Sequence, residues 1–169
     1  MIYNFEDKRP EISESAFIAE SADVIGEVFI GEQCGIWFGT VIRADGKSIT
    51  VGNGTNIQDN CTVHISSEYP TVIGEYVTIG HGAIVHACKV GSYSLIGMGA
   101  IVLDGAEVGD YSIIGAGSVV TYRTKIPSGV LALGTPARVV RELSEEEKLS
   151  LKQSSEKYIE LAEKYKRNC

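Results

Sequence analysis

Basic charge, long apolar runs, paired cysteines and histidine are all scarce in this sequence. Its 169 residues carry 15 Lys and Arg against 22 Asp and Glu, a formal net charge of −7. An acidic chain is a poor match for nucleic acid or an anionic membrane surface, so neither is expected as a partner. No apolar stretch approaches the ~20 residues of a membrane span. Met1 to Pro10 carries charges where a secretory leader would be apolar. The expectation is a soluble, cytoplasmic protein. The four cysteines, Cys34, Cys61, Cys88 and Cys169, form no CxxC pair. That spacing argues against a thiolate metal site and for small buried residues in a reducing compartment.

Against these absences stands one strong signal, a period of six. Aliphatic residues recur as Ile12, Ile18, Val24, Ile30, Ile36, Ile42, and resume through Val51, Ile57, Val63, then Ile73, Ile79, Val85, then Val90 to Ile126. Small residues such as Ala16, Ala22, Cys34, Cys61, Ala83 and Ala100 follow four places later. A period of six fits neither a helix nor a two-residue alternation. It predicts a coil of three short flat strands, stacked as a left-handed parallel β-helix. Three rows of aliphatics follow. Row one is Ile12, Ile30, Val51, Ile73, Val90, Val108, Ile126; row two is Ile18, Ile36, Ile57, Ile79, Ile96, Ile114; row three is Val24, Ile42, Val63, Val85, Val102, Val120. Glycine follows row one at Gly31, Gly52, Gly74, Gly91 and Gly109, as a tight corner requires. Departures from six fall only between rows three and one, which predicts loops at one corner, Ala44 to Thr50 and Ile65 to Thr71.

The fold class is therefore mainly β, a single domain: the β-helix over 1–131, an exit turn over 132–143, and a helix over 144–167 that packs back on the prism. Ser144 and Glu147 read as a capping box, and Leu151, Tyr158, Ala162 and Tyr165 share one helical face. The large residues just after row-two and row-three aliphatics, Trp37, Phe38, Met98, Ile25 and Leu103, should point outward and suggest an interface between copies. A triangular prism using two adjacent faces suits a homotrimer.

The only histidines are His64, His81 and His86. His64 and His86 each follow a row-three aliphatic and should stack one coil apart, about 4.8 Å. His81 follows row two and lies on the neighbouring face. In a trimer, His81 of a neighbour can meet His64 and His86, giving three imidazoles and an open position for a zinc-bound water. One coil below, Arg43 underlies His64 and Asp59 underlies His81, so the same offset pairs Arg43 with a neighbour's Asp59. Asp45 is placed to orient Arg43, and Gln58 to hydrogen-bond bound water or substrate.

The segments IRAD (42–45), NIQDNCTVH (56–64), IGHGAIVHACKVG (79–91), IGMGA (96–100) and GTPARVVREL (134–143) resemble the γ-class carbonic anhydrases, in the bacterial branch often labelled hexapeptide transferases. The resemblance covers residues 10 to 167. It implies zinc ligands His64, His81 and His86, with iron or cobalt as substitutes. It also implies Gln58 near the bound water, Arg43, Asp45 and Asp59 at the interface, and reversible hydration of carbon dioxide to bicarbonate. Two features depart from the founding members: Gly46 replaces a glutamate, and the loop after the first ligand is short, without their long acidic stretch and its proton-shuttle glutamate. Glu68 is the one carboxylate in that loop and the candidate shuttle. Two other functions fit the same residues: an acyl-CoA-dependent acyltransferase using His81 or His86 as general base, and a non-catalytic metal-binding or accessory protein.

Overall fold

In the computed structural model, which describes residues 1–168, the three aliphatic rows are the three inner edges of a left-handed parallel β-helix of about seven coils. Strand register reproduces each row residue for residue. Ile12 pairs with Ile30, Ile30 with Val51, and so on to Ile126. Ile18 leads through Ile36, Ile57, Ile79 and Ile96 to Ile114. Val24 leads through Ile42, Val63, Val85 and Val102 to Val120. Nearly all these side chains are fully buried, because a two-residue strand has one inward position and the repeat puts an aliphatic there.

The second inward position explains the irregular steps. It lies two residues before the next aliphatic. Where the step is not six, Ile49, Thr71 and Cys88 occupy it, all buried. Glycine after row one is required by coil-to-coil contact. A Cβ on Gly91 would lie 2.5 Å from the Asp110 backbone nitrogen, and one on Gly109 2.4 Å from that of Ser128.

Two prism faces merge into one 12-stranded sheet, while row two forms an 8-stranded sheet. The merger comes from two long strands, Asp23–Ile30 and Val41–Val51, which run continuously around the corner between rows three and one. The first predicted loop, Ala44 to Thr50, is therefore not a loop but strand with a bulge. Gly26 pairs with Ala44 and Val28 with Ile49, so the four residues Asp45 to Ser48 stand opposite Glu27 alone. Residues 65–70 do leave the sheet between the strands Thr62–His64 and Thr71–Ile73.

Residues 132–143, read from sequence as an exit turn, mostly continue as strand. Val130–Gly134 is the last rung of the row-two sheet, and Ala137–Glu142 folds back on it antiparallel. The helix α1 (Glu145–Asn168) follows, and the capping box is formed: Glu147 N donates to Ser144 Oγ at 3.2 Å and Ser144 N to Glu147 Oε2 at 2.8 Å. α1 lies along the row-two face with Leu151, Ser155 and Ala162 buried.

That packing changes the reading of the outward apolar residues. Trp37 is 4% exposed, inside an aromatic cluster with Phe17, Tyr158 and Tyr165. Phe38 is half covered by Tyr165. Trp37 therefore belongs to the helix contact, while Phe38 touches Tyr165 and stays 38% exposed. Ile25 and Leu103 are half-buried, and Met98 remains open at 59% exposure. No helix among the described residues is long and apolar enough to cross a membrane.

Candidate metal centre

Two adjacent coils bring the first two histidines together. Strands Thr62–His64 and Ile84–His86 pair in parallel with His86 on His64, and Arg43 holds the same position one coil lower. Val63 and Val85 point inward, so the next residue on each strand points out. His64 Nδ1 faces His86 Nε2 at 3.2 Å, with ring centroids 5.2 Å apart. The far nitrogen of each ring meets a carboxylate: His64 Nε2 lies 3.0 Å from Asp45 Oδ1, and His86 Nδ1 2.6 Å from Asp104 Oδ1. Asp45 also pairs with Arg43.

Burial works against charge on Asp45. The His64 hydrogen bond, its own backbone amide and the Arg43 charge outweigh that and hold its carboxyl below the usual range. Asp104 behaves alike: burial opposes ionisation, but the His86 hydrogen bond and charge prevail, with help from its own backbone amide and the Ser66 hydroxyl. Both carboxylates are thus fixed as acceptors, each holding an imidazole proton on the side away from the facing nitrogens.

His81 stands in the turn that follows the strand Thr78–Ile79 of the other sheet. Its Nδ1 lies 2.8 Å from Asp59 Oδ2, which leaves Nε2 as the remaining donor atom. Gln58 is buried. Its Oε1 accepts the His81 backbone N–H at 3.2 Å and its Nε2 donates to Asn56 Oδ1 at 3.2 Å. Gln58 therefore braces the turn that carries His81. The predicted residues fall into two groups within one chain, Arg43–Asp45–His64–His86 and Gln58–Asp59–His81. Asp59, expected to meet Arg43 of a neighbour, already holds its own His81, and Arg43 already has Asp45. Glu68 belongs to neither group. It sits on the 65–70 turn, 3.9 Å from Arg123.

The donor set suits a zinc-type ion. Two Zn–N bonds of about 2.0–2.1 Å at a near-tetrahedral angle place their nitrogens about 3.3 Å apart, and the facing pair is at 3.2 Å. Each histidine has a carboxylate on its other nitrogen, the arrangement that fixes the tautomer of a metal ligand. Among the described residues, one copy alone makes no group of three or more His, Cys, Asp or Glu able to hold a metal ion.

Sequence reasoning missed Asp104 and Ser66. Asp104 stands two residues after the row-three Val102, as His81 stands two after Ile79, and that offset was a usable signal.

Comparison with known proteins bears on the family to which the chain belongs. The family model "Bacterial transferase hexapeptide (six repeats)" matches residues 87–122. The chain is 44% identical over 168 residues to gamma carbonic anhydrase 1, mitochondrial, of Arabidopsis thaliana, covering 96% of this chain and 61% of that protein. It thus spans about three-fifths of the length of that relative. It is 47% identical over 166 residues to a carbonic anhydrase of Geobacillus kaustophilus, covering 98% and 91% of the two chains. A crystal structure from Bacillus cereus, described as an acetyltransferase, superposes with a TM-score of 0.98 at 44% identity, covering 99% and 98%. On identity of this level, covering nearly the whole Geobacillus protein, and on its hexapeptide rows, the chain belongs to the γ-class carbonic anhydrase family.

Proposed function

We propose that the chain is a carbonic anhydrase that works as a homotrimer. Its metal centre is shared, with His64 and His86 from one copy and His81 from the next. The facing nitrogens of His64 and His86, each ring backed by a carboxylate, are the observation that carries this reading. His81 supports the sharing. Its side chain is 47% exposed and Asp59 orients it, yet it lies on a different face from the other two.

A bound zinc, or iron or cobalt in its place, would supply a hydroxide-strength nucleophile near neutral pH. The protein residues do the rest. Asp45, Asp104 and Asp59 hold the three imidazoles in one tautomer each. Gln58 sets the position of the His81 turn. Hydration of carbon dioxide to bicarbonate releases one proton per turnover, and Glu68, the one carboxylate of the 65–70 turn, is the candidate to accept it. Arg43 stands beside the ligands where a neighbouring copy would dock.

Mixing variants tests the sharing. His81→Ala and His64→Ala trimers should each lack metal and hydration activity. Subunit exchange between them should restore a fraction of intact sites, read by metal analysis and stopped-flow hydration. A monomer in sedimentation that retains metal through all three histidines would overturn it.

A second reading has one observation in its favour. A groove of about 410 Å³ runs beside His81 and is lined by Leu95, Met98, Ile113 and Tyr158. With Asp59 on Nδ1, His81 has the form of a general base for acyl transfer. Consumption of acetyl-CoA by the metal-free protein, lost in His81→Ala, would favour this reading.

A further inference from the structure

The 65–70 turn is fastened at a point far along the chain. Tyr69 Oη accepts two hydrogen bonds from Arg123, from Nε at 2.9 Å and from Nη2 at 2.7 Å, across 54 residues of sequence. The guanidinium also lies over the Tyr122 ring at 4.8 Å. Such a fork of donors, backed by an aromatic face, holds one orientation better than an ammonium would. Gly105 leaves room for it. A Cβ there would sit 3.0 Å from the Arg123 stem and 3.2 Å from the Tyr69 ring.

The same turn connects to the histidines. Ser66 N donates to Tyr69 O at 3.1 Å and Tyr69 N to Ser66 Oγ at 3.2 Å, closing the turn on itself. The turn directly follows His64, and Asp104 holds His86 at 2.6 Å. The Arg123 backbone amide donates to Asp104 O at 3.0 Å. Glu68 stands between Ser66 and Tyr69, so its place relative to the histidines depends on the turn.

We propose that Arg123 is a positioning residue: through Tyr69 it holds the 65–70 turn, and with it Glu68, against the histidine pair. This rests on the carbonic anhydrase reading above. It accounts for a short loop doing without an acidic lobe.

The test uses metal-loaded wild type, Arg123→Ala and Tyr69→Phe. Two readouts are taken, carbon dioxide hydration and amide hydrogen exchange of residues 65–70. In weak buffer, kcat should fall about tenfold in both variants, because a displaced carboxylate accepts the product proton poorly. kcat/KM should stay within about twofold, because it reports the hydration step that precedes proton export. Concentrated imidazole buffer should restore kcat by accepting the proton directly. The Ser66 and Tyr69 amides should exchange faster in both variants, and Arg123→Lys should recover only part of the loss. Unchanged kcat with unchanged exchange would overturn the proposal. A parallel fall in kcat and kcat/KM, not rescued by imidazole, would also overturn it by showing a merely structural role. Wild type inactive with every metal would remove the enzymatic reading instead. Exchange then still decides whether Arg123 holds the turn, and unchanged exchange overturns that as well.

Discussion

The Asp104 carboxylate lies 2.6 Å from His86 Nδ1, while the other nitrogen of that ring faces His64 at 3.2 Å. One side chain thus decides which nitrogen of His86 is presented. Asp104→Asn keeps the shape but loses the charge. We expect metal affinity to fall about 10–100-fold, as with other partners of ligand histidines, with little change in thermal midpoint. Chelator competition followed by calorimetry checks both. Unaltered affinity would mean that Asp104 does not act on the bound ion through His86.

Arg43→Ala tests the proposed trimer apart from the stability of a single copy. In one copy the Arg43–Asp45 pair is exposed, and Asp45 keeps His64. The stability of a dissociated copy should therefore change by at most about 1 kcal/mol. If association desolvates the pair, trimer formation should weaken by about 2–5 kcal/mol. Sedimentation over a dilution series distinguishes the two effects. An unchanged trimer would place Arg43 outside the contact.

Three buried thiols should be inert. Burial pushes Cys34 and Cys61 up to about 11 and Cys88 to about 12. Cys169 lies outside the described residues, so the measurement uses Cys169→Ser. No thiol should react with a disulfide reagent at pH 8 in the native state, and three should react after denaturation. Rapid native labelling would mean that the coils open locally.

The helix start should carry a pH signature. Arg141 and the Ser144 amide lower the Glu147 carboxyl to about 2 from an ordinary 4.5. A depressed carboxylate stabilises the fold above its unfolded value, and that contribution disappears as pH falls through the folded one. Wild type should therefore melt above Glu147→Gln at pH 6, and the two midpoints should converge near pH 2. A gap independent of pH would mean that the Glu147 charge plays no part in the cap.

Most of the prism was legible because its core repeats. One inward aliphatic per strand is enough to fix register, and all three rows hold from Ile12 to Ile126. What covers an outward residue is not local information, so Trp37 read as an interface when α1 lies on it. The 44–50 segment read as a loop because the count was irregular. Its backbone nevertheless stays paired to Asp23–Ile30, and only four residues bulge. Gly134 to Ala137 do form a turn, but sequence did not reveal that the chain would reverse onto the last rung. Among the site residues, the column Arg43–His64–His86 and the pair Asp59–His81 followed from coil arithmetic. The anchoring of Glu68 did not, because Arg123 comes from a coil far up the prism.

The reversal at Thr135–Pro136 also sets how long the molecule can be. Parallel coils stacked at strand spacing offer every next chain the same template, the geometry from which cross-β fibrils grow. At the upper end, Ala137–Glu142 runs against the stack and ends the parallel order. It presents Arg138, Arg141 and Glu142 on either side of the exposed Val139 and Val140, and those charges discourage a further strand. At the lower end, the added strand Ile2–Tyr3 is only two residues long, and the Lys8–Glu27 pair lies nearby. These unlike ends make a repeat that is open-ended in principle into a particle of fixed length.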